Sequence, residues 1–433
     1  MKHLITFILA ALLPAAAALA QTGTWSGAIE LQGYKLTLVF HIGGDAPTLD
    51  VPDQGAKGIP LEVGSGATGM LKITAPSIGA YFEGIALGDK AIAGTFHQSG
   101  VSLPLKLTPG APVINRPQTP VPPFPYQTEE VTFANGDAVL SGTLSLPEGC
   151  SRKTPVLLMV TGSGLQNSDE EIFSHKPFAV IADALAREGI ATLRYDDRGF
   201  GESTGDAINC TTEDLKNDAL AGTEFLRSRF DRVGVLGHSE GGTIALMLAE
   251  DGQADFVVSL AGMVVSGAET LLAQNRRALT QAGVGESEVN AYCALLSEAF
   301  AAAAASQPLP SGKDASLPPA LLQNYTAVRS QLEQPYMRYF VGLDVSKRLA
   351  DIKCPVLAIS GELDTQVDCS RNLSALQSGL TANPSTLFRP IPSLNHLFQH
   401  CTTGDISEYS RIEETFAPEV ISEIIGWVLA LEK

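Results

Sequence analysis

The chain lacks any block of basic residues, any cysteine pair at metal-binding spacing and, past its first twenty residues, any apolar run long enough to span a bilayer. Lysine and arginine number 29 against 47 acidic residues, a net charge of −18. That balance argues against nucleic acid and against anionic membrane surfaces as partners, and the acidity itself serves solubility. Six cysteines without a C-x-x-C pair argue against zinc, and no cofactor is called for. The glycines of "GTFHQSG" are strand and turn residues, not a phosphate cradle. Histidine is scarce, seven in 433 residues, so each one can be weighed individually.

At this length the chain has room for two or three domains. The opening "MKHLITFILAALLPAAAALAQ" has a lysine, an apolar stretch and a small-x-small close at Ala18-Leu19-Ala20. It predicts a signal peptide over residues 1–20, export to the periplasm or cell exterior, and a mature chain from Gln21. Over 22–108, "TWSGAIEL", "YKLTLVFHI", "MLKITA", "YFEGIAL", "AIAGTFHQ" and "VSLPLKL" alternate apolar and polar residues between glycine-rich turns, which predicts a small antiparallel β domain. The proline-rich 109–126 reads as an extended linker. From 127 to 433 a hairpin turned at Asn135-Gly136 leads into continuous apolar strands that alternate with helical patterns. That is the pattern of a mostly parallel sheet covered on both faces. Residues 264–345, alanine-rich and helical, interrupt it as a cap.

The decisive stretch is "VGVLGHSEGGTIALMLAE", Val233 to Glu250. An apolar strand stops at Gly237, a helical pattern starts at Glu240, and Ser239 stands between glycines two residues away on each side. A serine there is either a helix N-cap or a nucleophile on a strained strand-to-helix turn, whose next N–H, that of Glu240, faces a developing oxyanion. A nucleophile needs a base, and in this arrangement the chain order is Ser, acid, His. His238 adjoins Ser239 but its side chain points away, and His175 comes too early. Only His396 and His400 remain. His396 directly follows "STLFRPIPSL", where the last strand ends, and is the expected base. The acid belongs just after "PVLAIS", in "GELDTQVD": Asp364 is the expected residue, Asp368 the alternative or a helix cap. The loop after "PVLLMV", "TGSGLQNSDE", supplies the second oxyanion donor at Ser163, or else Gly164. In "RYDDRGFGES", Asp197 and Arg198 read as a pair that ties loops together.

Taken together, "TGSGLQNSDE", "HKPFAVIADALAREGIATLRYDDRGFGEST", "GVLGHSEGG", "GELDTQV" and "LNHLFQHCTTG" resemble exported bacterial α/β-hydrolases, described as esterases or serine-peptidase-like hydrolases. The N-terminal "TWSGAIELQGYKL" segment is similar to the β domain fused ahead of the hydrolase in that group. The resemblance implies an α/β-hydrolase fold with a preceding antiparallel β domain, and Ser239, Asp364 and His396 as a triad that transfers an acyl group to water. The expected function is hydrolysis of small carboxylic esters, acylated carbohydrate among them. A serine aminopeptidase with Glu170, Glu171 or Glu240 as an amine clamp is the alternative. A glycan-binding surface built on Trp25 and Tyr34 is the remote one. Because Cys369 and Cys401 each lie five residues past the acid and the base, a disulfide between them is expected to tether the two loops.

Overall fold

The computed structural model describes residues 22–431 apart from 32–33, 45, 55, 67–69, 99, 113–114, 313–315 and 381–382; the expected signal peptide lies outside the described residues. The chain divides at 115/116 into two compact units, the first of which also takes in residues 172–174.

The first unit is an antiparallel sheet of β1 (Gly23–Leu31), β2 (Tyr34–Ile42), β3 (Thr48–Val51), β4 (Ala56–Pro60), β5 (Glu62–Ser65), β6 (Leu71–Ala75), β7 (Ala80–Ala86), β8 (Ile92–Gln98) and β9 (Val101–Pro109). Its order is β4-β3-β2-β1-β9-β8-β7-β6-β5. Alternate residues of β1, β2 and β6 to β9 meet in one core, where Phe40 and Phe82 stand 6.0 Å apart. Trp25 is part of that core and buried, so it offers no exposed sugar platform.

The second unit is built on β10 (Gln127–Asn135), β11 (Ala138–Leu146), β12 (Val156–Val160), β13 (Ala191–Tyr195), β14 (Val233–His238), β15 (Val257–Leu260), β16 (Val356–Gly361) and β17 (Leu387–Ile391). The order is β10-β11-β13-β12-β14-β15-β16-β17, parallel from β13 onward, with the leading hairpin antiparallel. Successive side chains of a strand point to opposite faces, so a strand covered on both sides must be apolar at every position. In β12, Val156 and Leu158 face one core, against helices α2 (Thr212–Arg227), α3 (Glu240–Glu250) and α8 (Cys369–Gly379). Leu157 and Met159 face the other, against α1 (Pro177–Arg187) and α9 (Pro418–Ala430).

Between β15 and β16 lie α4 (Gly267–Gln281), α5 (Glu286–Ala304), α6 (Pro319–Gln331) and α7 (Pro335–Gly342). They pack a separate core around Tyr292, Leu296, Phe300 and Tyr325. No helix among the described residues is long and apolar enough to cross a membrane. The proline-rich stretch is not wholly a free spacer. Arg116 donates to the carbonyls of Ser410 and Ile412, and Gln118 to that of Phe416, which pins residues 116–118 to the second unit.

From β12 the chain runs out to β13, then crosses back to β14 on the other side of β12. Such a reversal leaves a crevice at the carboxyl ends of the two central strands, where open α/β sheets bind ligands. The two loops that emerge there follow Val160 and His238.

Candidate active site

Ser239 joins β14 to α3 with φ 55° and ψ −119°, a left-handed conformation that a residue with a side chain adopts only under constraint. It occupies the N-cap position, yet its side chain caps nothing; its own N–H donates to the Leu260 carbonyl at 2.8 Å. The neighbouring glycines make the turn sterically possible. A Cβ on Gly237 would stand 2.0 Å from the Gly241 carbonyl oxygen, and one on Gly241 would stand 2.0 Å from that of Val160. Because both collisions are with backbone, Gly241→Ala is expected to cost ~3 kcal/mol or somewhat more. Calorimetry should record a midpoint lower by ~6–12 °C. An unchanged midpoint would contradict this packing.

Asp364 lies on the turn after β16. Its Oδ1 accepts the N–H groups of Gln366 (2.7 Å) and Val367 (2.9 Å), which leaves Oδ2 to meet His396 Nδ1 at 2.7 Å. Both side chains are shielded from solvent, the histidine at 5% exposure and the carboxylate at none. Asp368, the alternative acid, is instead the N-cap of α8 and accepts from the Arg371 N–H. His400 is half exposed between Glu414 and Glu419. His175 is buried against Thr415 and the Tyr409 carbonyl, and burial pushes its pKa down to about 4.

The disulfide expectation is corrected. Cys369 and Cys401 are free thiols, as are the other four cysteines. Cys369 opens α8 and turns its Sγ toward the Ser360 carbonyl, whereas Cys401 Sγ turns toward that of Ser393. Equal spacing past the acid and the base did not set the directions of the thiols. The loops are held instead by ordinary bonds: Glu362 N–H to Ile391, Leu363 N–H to Leu394, and Thr365 Oγ1 to Gly404. Gly361 permits this closeness, since a Cβ there would lie 2.3 Å from the Leu394 carbonyl.

The loop after β12 lies against the serine; a Cβ on Gly162 would be 3.2 Å from that of Ser239. Thr161 and Gln166 anchor the loop to Asp197 through bonds of 2.7 and 2.8 Å. Burial raises the Asp197 pKa to about 7. Arg198 does not pair with Asp197. It grips Asp218 on α2 through two bonds of 2.6 and 2.7 Å, so each residue ties a different pair of segments. Ser163 Oγ donates to Glu240 Oε2 at 2.7 Å. The N–H groups of Ser163 and Glu240 have no hydrogen-bond partner among the described residues; that of Glu240, in the first turn of a helix, has none to find within the helix. Among the described residues no cluster of three or more His, Cys, Asp or Glu side chains could hold a metal ion.

A family model described as serine aminopeptidase, S33, matches residues 174–388, just under half of the chain; the span contains Ser239 and Asp364 and stops short of His396. The second unit has the α/β-hydrolase fold. The chain is 36% identical over 143 residues to Esterase EstD of Thermotoga maritima, an alignment covering 33% of this chain and 34% of that relative. The chain thus matches about a third of that relative's length. Among solved structures, an esterase of Pyrococcus furiosus aligns over 74% of this chain and 98% of its own at 17% identity and a TM-score of 0.43. A proline iminopeptidase of Mycobacterium smegmatis aligns over 70% and 98% at 17% identity, also with a TM-score of 0.43.

Sequence reasoning did not foresee how this fold uses its buried acids. The Glu240 carboxylate, 2% exposed, is held by three hydroxyls: Ser163 (2.7 Å), Thr212 at the start of α2 (2.6 Å) and Tyr336 on cap helix α7 (2.5 Å). Burial, then the Glu240 charge, pushes the Tyr336 phenol up. One side chain therefore links the Ser239 turn to the loop after β12, to α2 and to the cap. Glu170, offered above as an amine clamp, is buried and accepts from the Gly162 N–H and meets His238 Nδ1, both at 2.9 Å. The only sequence signal for these contacts was the presence of acids beside glycine-rich turns; their partners lie up to 96 residues away.

Proposed function

We propose that this α/β-hydrolase is an exported serine esterase that cleaves small carboxylic esters through an acyl-enzyme. The observation that carries the reading is the shielded 2.7 Å bond from Asp364 to His396, whose carbonyl meets His238, the residue before a serine held at φ 55° in a cap position it does not use for capping. In the mechanism, His396 Nε2 takes the Ser239 proton as Oγ adds to the ester carbonyl. Asp364 holds the proton on Nδ1 and stabilises the imidazolium. The N–H groups of Ser163 and Glu240 receive the oxyanion. The imidazolium then protonates the departing alkoxide, and a water deprotonated by His396 releases the acid.

Ester cleavage is preferred over aminopeptidase action because all three candidate amine clamps are already engaged within the protein, Glu171 by Asn167 (3.5 Å) and Lys176 (3.7 Å). Glu170 binds Gly162 and His238, and Glu240 binds three hydroxyls. The name of the Thermotoga relative supports the same choice. Soluble esters, acylated carbohydrates included, are the substrate class we propose. The opening segment supports a periplasmic or extracellular location.

A panel of short-chain nitrophenyl esters and aminoacyl nitroanilides tests the preference. We expect kcat/KM for the best ester to exceed that for the best amide by roughly a hundredfold. The reverse order would establish the aminopeptidase reading.

A further inference from the structure

We infer that Glu170 and His238 form a second carboxylate–imidazole pair, whose doubly protonated ring holds the loop of the proposed base and the oxyanion loop in register with the nucleophile turn. The inference rests on the esterase reading for its catalytic meaning, but its structural content stands by itself.

His238 precedes the nucleophile and ends β14. Both of its ring nitrogens face acceptors at 2.9 Å: Nδ1 meets Glu170 Oε1 and Nε2 meets the His396 carbonyl oxygen. A neutral imidazole has one N–H to give and one lone pair that must find a donor. A backbone carbonyl has no proton to offer. Unless Glu170 carries a proton, the ring satisfies both contacts only as an imidazolium. The site is closed to solvent, with His238 at 6% and Glu170 at 3% exposure, so water does not readily replace either bond.

The pair joins three pieces of the proposed machinery. Glu170 Oε1 also accepts the Gly162 N–H, which fixes the loop that carries the Ser163 N–H. The same contact occupies the Gly162 N–H. His238 sits one residue before Ser239. Its Nε2–H anchors the main chain of His396, whose side chain is held separately by Asp364. The His238 and His396 rings lie 4.8 Å apart, too near for both to carry charge without cost. Glu170 and Asp364 moderate that repulsion.

The charged groups around the ring are few. Glu170 faces it from the segment before α1, and His396 from the loop after β17. Asp364 acts from the turn after β16. Asp197 and Glu240 are the next acids outward, around Glu170 and the nucleophile turn respectively. The Phe398 ring closes another side at 6.1 Å. Burial by itself lowers the His238 pKa, but the Glu170 charge and hydrogen bond outweigh it and the net shift is upward. The ring thus keeps its proton to higher pH than an ordinary imidazole would. Activity should fall on the alkaline side as His238 loses its proton.

Two measurements test the pair. In wild-type protein labelled with 15N-histidine, at pH 7, His238 should show both ring nitrogens protonated. A single bare nitrogen, with the proton on Glu170 or absent, overturns the inference. This readout needs no turnover and can be repeated on Ser239→Ala, so it separates failure of the pair from failure of the esterase reading. In Glu170→Gln, burial is left without its counterweight. The alkaline limb of kcat/KM should then move down by about one pH unit or more. At pH 7 kcat should fall about tenfold with KM within about twofold. Glu170→Asp, which keeps the charge, should restore much of the alkaline limb. A Glu170→Gln profile superimposable on wild type contradicts a positioning role.

Discussion

Ser239→Ala is expected to lower kcat for ester hydrolysis by ~10⁴–10⁶-fold while the protein still folds and binds substrate. The reasoning begins with the turn. Ser239 reaches φ 55° because Gly237 and Gly241 leave room for the backbone of the turn and of β12, and alanine at 239 alters none of those contacts. The Ser239 side chain makes no capping bond, so truncating it leaves no helix N–H newly unpaired. Stability should therefore stay within about 1 kcal/mol of wild type. What disappears is the oxygen that attacks the carbonyl, and the remaining rate comes from oxyanion contacts and binding. If Ser239 were only a cap residue, alanine would weaken α3 and leave turnover intact. The two accounts thus predict opposite patterns in stability and rate.

Asp364→Asn is expected to lower kcat by ~10⁴-fold, the scale seen when the acid of a serine-protease triad is changed in this way, with little effect on KM. Here the local hydrogen bonds explain why. Oδ1 of Asp364 accepts two backbone N–H groups, from Gln366 and Val367. An asparagine must keep its carbonyl oxygen on those donors, which turns its NH₂ toward His396 Nδ1. The imidazole then has to accept at Nδ1 and carry its proton on Nε2, the nitrogen that should take the Ser239 proton. The ring stays in place in the wrong tautomer. Asp368→Asn, which changes only the cap of α8, should leave kcat within about twofold.

The parts of this fold most legible in the sequence are those whose cause is local. A buried parallel strand must be apolar at successive positions, and β12, β14 and β16 announce themselves that way. The turn at Ser239 is legible because two glycines at fixed offsets answer to atoms within a few residues or on the adjoining strand. Asp364 and His396 could be singled out because chain order restricts the choices. The short β3, β4 and β5 were missed: they are four or five residues long, and β4 and β5 mostly face outward with little alternation to read. The expected disulfide failed because sequence offsets fix neither the helix that Cys369 opens nor the turn that carries Cys401. His238 and Glu170 lie 68 residues apart, and nothing in either segment reveals that they meet. The hydroxyl cluster around Glu240 was hidden for the same reason: Thr212 and Tyr336 reach it from α2 and from the cap. Polar contacts between distant segments leave no periodic trace, whereas apolar burial does.

The central claim is that Ser239 is an activated acyl acceptor. The most direct measurement is site mapping of a fluorophosphonate probe, which reacts covalently with a serine only when a neighbouring base and an oxyanion hole activate it. The account predicts stoichiometric modification of the peptide that contains Ser239, in step with loss of esterase activity, and slow labelling in Asp364→Asn. Inactivation with the adduct on another residue, or full ester turnover after Ser239 is blocked, would contradict it.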